Sequence, residues 1–230
     1  MDSDRDQRPN EGVPRGLIAG LAAVAAISAV VAVALVAAGA FEGDETERAP
    51  GLRGDALPEA INESRAPSVS LVDALSGEDF DTRDLRGEPY MLTFLYTGCV
   101  DVCPLIGADI RDAIADLGPD GEGVTPVVVT VDPRGDTPAR VRSWVEKLRL
   151  PRNTRYLIGG RESLVPIWRD WYLIAQGANT LEARSHNASL WLIDAEQRPR
   201  ARYPGGVPIP VDDLSSDLGT LLAEAEESRG

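Results

Sequence analysis

The 230-residue chain contains only two cysteines and one histidine. Structural zinc sites take four ligands, so this supply excludes a zinc site built from cysteine and histidine alone. Basic residues are also scarce, since 23 Lys and Arg face 37 Asp and Glu, for a net charge of -14. A surface with that charge repels phosphate backbones, which argues against nucleic-acid binding. The sequence contains no internal repeat.

A long uncharged stretch lies near the N-terminus, from Gly16 to Phe41. As a helix it would measure about 39 Å, more than the roughly 30 Å of a bilayer core. Arg5, Arg8 and Arg15 precede it, and acidic residues follow it. The positive-inside rule therefore predicts a single-pass plasma-membrane anchor over 16–41 with the N-terminus in the cytoplasm.

This prediction divides the chain into four parts. Residues 1–15 form a cytoplasmic tail and 16–41 the anchor. Residues 42–66, rich in charge, Gly and Pro, are predicted to be a linker, and 67–230 the folded domain outside the cytoplasm. The alternative for the apolar stretch is a cleaved signal peptide ending at Ala38-Gly39-Ala40, although the stretch exceeds the usual 7–15 apolar residues.

Strand and helix patterns alternate through the domain and end in a hairpin and a helix. The predicted strands are 69–72, 90–96, 125–131, 156–158, 189–193 and 200–203. Apolar residues at helical spacing predict helices that start near 104, 138, 164 and 211. The order β, β, α, β, α, β, α, β, β, α indicates an α/β domain with a mixed sheet flanked by helices.

Both cysteines lie in the segment Tyr96-Thr97-Gly98-Cys99-Val100-Asp101-Val102-Cys103-Pro104. An apolar strand precedes this segment and a helix pattern follows it. Backbone N–H groups and the positive end of a helix dipole favour anionic sulfur. The segment is therefore interpreted as a thiolate site on a strand, turn and helix N-terminus.

Three interpretations of Cys99 and Cys103 follow from their spacing. The first is a structural disulfide or a pair of buried thiols, although a disulfide here would close only a small loop. The second is thiol–disulfide exchange, for which two intervening residues are commoner than three. The third is a metal site in which His186 adds one nitrogen to two sulfurs, a set that suits copper, particularly Cu(I).

The remaining polar residues near these patterns have simpler interpretations. A lone histidine such as His186 is more often a surface or core residue than a ligand. Asp101 is expected to favour the helix dipole from the first turn or to act on the cysteines indirectly. Asp132 and Asp136 are expected to serve as turn and capping residues. A peroxidase is disfavoured because no Pro-x3-Thr-x2-Cys pattern precedes Cys99.

Three groups of residues together resemble the Sco/SenC family of membrane-anchored, thioredoxin-like copper proteins. They are Phe94 to Pro104 with the two cysteines, Val131-Asp132-Pro133 with Asp136-Thr137-Pro138, and His186 followed by Leu190-Trp191-Leu192-Ile193-Asp194. The resemblance extends from about residue 67 to about residue 204. Arg134-Gly135 departs from the family's Glu-Arg-like pair, and Ser185 stands where the family often has an acidic residue.

The resemblance implies a thioredoxin-like fold and a copper site, Cu(I) or Cu(II), made of Cys99, Cys103 and His186. It further implies delivery of copper to the dinuclear copper centre of a haem-copper cytochrome c oxidase. The partner would be the oxidase subunit that carries this centre, and the copper donor is not identified. The main hypothesis is thus a metallochaperone rather than an enzyme. The alternative is an extracytoplasmic thiol–disulfide oxidoreductase that uses Cys99 and Cys103 as its catalytic pair.

Overall fold

The computed structural model describes residues 49–58, 61, 64–173 and 188–230. Its strands are β1 (Ser70–Asp73), β2 (Asp79–Asp81), β3 (Tyr90–Leu95), β4 (Thr125–Thr130), β5 (Arg155–Ile158), β6 (Ser189–Ile193) and β7 (Pro199–Pro204). Its α-helices are α1 (Val102–Asp116), α2 (Pro138–Leu148), α3 (Arg161–Asp170) and α4 (Val211–Arg229). These elements follow the order predicted from the sequence, with β2 added.

The strands form one sheet in the order β2-β1-β5-β4-β3-β6-β7. Strands β3, β4 and β5 are parallel, while every other neighbouring pair is antiparallel. The predicted mixed sheet is therefore confirmed. All six residues of β3 and all six of β4 are buried, as expected for central strands covered by helices on both faces.

Two apolar clusters lie on opposite faces of this sheet. Met91 and Leu95 of β3 face α1, α2 and α4, while Leu92 and Phe94 face α3. Successive side chains of a strand point to opposite faces, which explains this alternation. Cys99 and Cys103 belong to the cluster that includes α1, α2 and α4.

Helix α1 begins at Val102, two residues before the predicted start at Pro104. The earlier start is explained by Asp101, whose side chain accepts a hydrogen bond from the Val102 N–H and so caps the helix. Pro104 then occupies the third helical position. A backbone N–H at this position would have no acceptor within the helix, so proline is tolerated there. The predicted apolar stripe is confirmed, since Ile106 and Ile110 are each 1% exposed.

Three short elements among the described residues were not predicted from the sequence patterns. They are β2 and two 3₁₀ helices, Thr82–Leu85 and Gly118–Gly123. Strand β2 has only three residues, two of them aspartates, so neither its length nor its composition resembles a typical strand. It forms because it pairs with β1 at the edge of the sheet, where one side needs no further partner.

The segment 49–58 lies within the range predicted to be a linker, yet it packs on the domain. We call it the docked segment. Ala49 and Leu52 are buried in the apolar cluster of α1 and α4, and Asp55 forms an isolated bridge with Arg202 of β7. The Asp217 carboxylate of α4 accepts the N–H groups of Arg53 and Gly54.

The predicted membrane anchor at 16–41 lies outside the described residues. Within the described ranges, none of the helices combines the length and apolarity that crossing a bilayer requires. The membrane anchor and the placement of the domain outside the cytoplasm therefore stay predictions, as do the boundaries at residues 15, 41 and 66.

Candidate metal centre

The two cysteines flank the connection between β3 and α1. Residues 96–101, which we call the cysteine loop, leave the C-terminal end of β3, and Cys103 follows in the first turn of α1. Strand β3 is paired on both sides, with β4 and with β6, so the loop starts from the centre of the sheet. Cys99 is 9% exposed and Cys103 is 3% exposed. Both are free thiols.

A short chain of hydrogen bonds joins the cysteines. The Cys103 N–H donates to the Cys99 sulfur over 3.3 Å, and the Cys99 thiol donates to the Asp101 carboxylate over 3.1 Å. The N–H of Cys99 donates in turn to the Tyr96 carbonyl oxygen, which closes the turn. The Cys99 sulfur therefore sits at the N-terminus of α1, where the helix dipole favours negative charge.

Asp101 lies at the N-cap of α1, one residue before the first turn in which the sequence interpretation placed it. Its carboxylate caps α1 and also accepts the hydrogen bond from Cys99. The Cys99 thiol, followed by the Val102 N–H, holds the pKa of the Asp101 carboxyl below its ordinary value. Asp101 thus stays ionised near neutral pH and orients the Cys99 thiol.

The two thiols have different environments. Burial raises the pKa of Cys103 well above its ordinary value, and the hydrogen bond with Cys99 raises it further. The backbone of Tyr96 opposes this shift. Cys103 is therefore a protonated thiol at neutral pH, and a metal ion that binds it must displace the proton.

Asp136 has a role that the sequence interpretation missed. It was expected to be a turn or capping residue, but it is only 5% exposed and lies next to the cysteine loop. Thr97 donates to it through both its N–H and its hydroxyl, at 2.9 and 2.6 Å. The hydroxyls of Thr130 and Tyr156 donate at 2.6 and 2.9 Å. We call these four residues the Asp136 cluster.

One feature of the sequence could have indicated this cluster. Thr130 and Tyr156 are polar side chains within otherwise apolar strand patterns. Buried hydroxyl groups need hydrogen-bond partners, so each implies a polar group nearby. Which residue supplies that group depends on the tertiary fold, and the sequence pattern does not contain this information.

His186 lies outside the described residues. The strand that follows it, β6, runs antiparallel to β3, with Leu190 opposite Thr93. Extending this register by two residues brings Ala188 beside Leu95, at the end of β3 where the cysteine loop starts. Ala188 is 5% exposed and belongs to the same apolar cluster as both cysteines.

Residue 205 controls how closely β7 approaches this end of β6. A Cβ atom built on Gly205 would overlap the backbone carbonyl of Ala188. Only glycine therefore allows the observed contact between the two backbones.

Among the residues that the structure describes, no set of three or more His, Cys, Asp or Glu side chains is arranged to hold a metal ion.

The fold and the cysteine pair define the class of protein. It is an α/β domain of thioredoxin type with two free thiols between β3 and the first turn of α1. The SCO1/SenC family model matches residues 63–222, which is more than half of the chain. The chain therefore belongs to the SCO1/SenC family.

A curated relative supports the assignment. The chain is 31% identical over 164 residues to a putative copper-binding protein of Stutzerimonas stutzeri, an alignment that covers 70% of this chain and 78% of the relative. The match extends well beyond the cysteine segment, so it reflects the whole domain rather than a short motif.

Two solved structures have the same fold. Bradyrhizobium japonicum ScoI, solved with copper bound, superposes with a TM-score of 0.55 at 19% identity, covering 69% of this chain and 99% of that one. The thioredoxin domain of a thiol-disulfide oxidoreductase from Bacteroides vulgatus superposes with a TM-score of 0.52 at 16% identity, covering 70% and 97%. At these identities the superpositions establish the thioredoxin-like fold alone.

Proposed function

We propose that the chain is a copper-binding assembly factor that holds the ion with Cys99, Cys103 and His186. Two sulfur ligands and one imidazole form a soft ligand set that suits copper, particularly Cu(I). The description of the Stutzerimonas stutzeri relative as a putative copper-binding protein and the copper bound to Bradyrhizobium japonicum ScoI support the choice of metal.

The observation that carries this proposal is the register between β3 and β6. Thr93 pairs with Leu190. The chain that leaves β3 toward Cys99 and the chain that enters β6 after His186 therefore lie side by side, at the C-terminal end of β3. Ala188, two residues after His186, packs in the apolar cluster that includes both cysteines. This topology supports convergence of the imidazole with the two sulfurs.

The recipient we propose is the dinuclear copper centre of a haem-copper cytochrome c oxidase. Membership of the SCO1/SenC family supports this assignment. The site would act outside the cytoplasm, with the domain anchored to the plasma membrane through residues 16–41. An acidic protein surface, at a net charge of -14, is compatible with handling cations.

Copper titration of the reduced full-length protein in detergent tests the ligand set. We expect about one copper per chain and a thiolate charge-transfer band in the Cu(II) form, because sulfur coordinates the ion. His186→Ala should weaken binding and alter the band, while Asn187→Ala, the neighbouring substitution, should change neither. An identical spectrum and affinity for His186→Ala would refute the assignment of His186.

The second candidate function is thiol–disulfide exchange outside the cytoplasm. The Cys99 thiolate would attack a target disulfide, and Cys103 would then displace the target from the mixed disulfide. The target would leave as a dithiol while Cys99 and Cys103 become a disulfide. Cys99 is the more exposed of the two cysteines, at 9% against 3%, so we assign it as the attacking group.

The two functions differ in their dependence on His186. Reduction of a disulfide-bonded target peptide should survive His186→Ala if exchange is the function, and should fail in Cys99→Ser and Cys103→Ser. Burial raises the pKa of Cys103, which opposes its attack on a mixed disulfide and its binding to a metal alike, so this shift does not separate the two functions. We prefer the copper function because the register between β3 and β6 and membership of the SCO1/SenC family support it.

A further inference from the structure

The Asp136 cluster fastens the cysteine loop to the two neighbouring parallel strands. Thr97 belongs to the loop, Thr130 is the last residue of β4, and Tyr156 lies in β5. The Thr130 hydroxyl also accepts the Asp132 N–H over 3.0 Å. One carboxylate thus links the loop, the end of β4 and the interior of β5.

The buried Asp136 carboxylate depends on the hydrogen bonds that it accepts. Transferring a charged group from water to the protein interior is unfavourable unless donors replace the lost water. Here four donors, all between 2.6 and 2.9 Å from the Asp136 oxygens, fill this role. Displacing Thr97 would remove two of the four donors at once.

Thr97 is the part of the cluster that connects with the cysteines. It is two residues before Cys99, inside the turn closed by the hydrogen bond from the Cys99 N–H to the Tyr96 carbonyl. The position of Thr97 therefore determines where the Cys99 sulfur lies relative to Cys103 in α1.

We propose that Asp136 is a positioning residue that acts through Thr97 to set the geometry of the Cys99–Cys103 pair. Its relevance to metal binding rests on the proposed copper function, whereas its effect on the two thiols does not. The cluster does not contact the copper in this proposal. It determines how well the two sulfurs are arranged before the metal arrives.

A general loss of stability could mimic this effect, and Asp217 provides the matched control. Asp217 is 1% exposed and accepts a tyrosine hydroxyl, from Tyr203, together with two backbone N–H groups. It resembles Asp136 in burial and partners, but the groups that it binds belong to the docked segment and β7. Asp217→Asn should therefore destabilise the domain without moving the cysteine loop.

The experiment compares Asp136→Asn, Thr97→Val, the double variant and Asp217→Asn in full-length protein in detergent. Each is measured for the reduction potential of the Cys99–Cys103 pair, for the alkylation rate of Cys99 and for copper affinity. We expect Asp136→Asn to weaken copper binding about 10- to 100-fold, as loss of groups that orient metal ligands commonly does. The potential and the alkylation rate should change as well.

The double variant tests whether Asp136 acts through Thr97. Because the two residues form one unit, the double variant should resemble Asp136→Asn alone rather than multiply the two single effects. Thr97→Val, which keeps the backbone hydrogen bond, should give a smaller change of the same sign. Asp217→Asn should leave the thiol measurements within about twofold of the unmodified protein.

Two outcomes would overturn the proposal. One is equal thiol reactivity and potential in Asp136→Asn and Asp217→Asn, and the other is multiplicative effects in the double variant. Failure of the copper function would be recognised separately. The unmodified protein would then bind no copper, while the potential and alkylation rate would still report on Asp136.

Discussion

Two regions of the domain use the same arrangement of side chains for different ends. At the cysteine loop, Asp136 accepts the Tyr156 hydroxyl and the N–H of Thr97. At the docked segment, Asp217 accepts the Tyr203 hydroxyl and the N–H groups of Arg53 and Gly54. In each case a buried carboxylate holds a stretch without regular secondary structure against the sheet or its helices.

The difference lies in what each carboxylate holds. The first fixes a loop that presents two thiols, and the second fixes a segment more than 160 residues away in sequence that contributes Leu52 to the core. Burial and hydrogen bonding alone therefore do not identify a functional residue. The chemistry of the attached segment distinguishes the two regions.

The largest expected effect is that of Asp217→Ala. This change leaves three donors without their acceptor, namely two N–H groups of the docked segment and the Tyr203 hydroxyl. We therefore expect a loss of about 3–5 kcal/mol in the free energy of unfolding. Protease cleavage near residues 49–58 should become faster, while the alkylation rate of Cys99 should stay constant. A change in Cys99 reactivity as large as that of Asp136→Asn would abolish the distinction between the two regions.

A matched pair of tyrosine substitutions gives a smaller effect. Tyr156→Phe and Tyr203→Phe each remove one hydroxyl that donates to a buried carboxylate, so each should lower the free energy of unfolding by about 1 kcal/mol. Chemical denaturation measures this loss. Only Tyr156→Phe should also change the reduction potential of the cysteine pair, and equal potentials in both variants would contradict the comparison.

The smallest expected effect concerns mild alkali, to which the cysteine region should respond and the docked segment should not. Burial raises the pKa of Cys103, so the unfolded chain releases a proton near pH 8.5 that the folded protein retains. The stabilisation that comes from Cys103 is fully present well below that pH. The free energy of unfolding should fall by about 0.7 kcal/mol between pH 8 and pH 9.

Comparison of the reduced protein with Cys103→Ala isolates this effect, because the alanine variant should lack the decline. The tyrosines should not interfere in this range. Burial raises the pKa values of both Tyr156 and Tyr203 above their ordinary value, so they titrate at higher pH. Parallel pH profiles for the two proteins would show that Cys103 is not the group responsible.

Much of the fold could be predicted from the sequence because its signals are local. Strand patterns predicted β3 and β4, and apolar residues at helical spacing predicted a helix that starts near residue 138. The start of α2 is fixed by Thr137, whose side chain accepts the Arg140 N–H. Strand β2 could not be predicted in this way, because its three residues form a strand only through pairing with β1. The docked segment was missed for the same reason.

The candidate site likewise contains a part that local sequence predicts and a part that only the tertiary fold brings together. The cysteine pair and the N-terminus of α1 follow from adjacent residues, so the sequence predicted them together. Asp136 and Thr97 are 39 residues apart, and their contact exists only after β3 and β4 pair in parallel. Whether His186 reaches the sulfurs stays a prediction that the copper titration tests.

The docked segment has a practical consequence for preparing shortened forms of the protein. A version that starts at Pro67, the boundary predicted from composition, would omit Ala49 and Leu52 and uncover the apolar surface they occupy. It would also deprive the Asp217 carboxylate of two of its three donors. A soluble fragment meant for crystallisation or spectroscopy should therefore begin before residue 49.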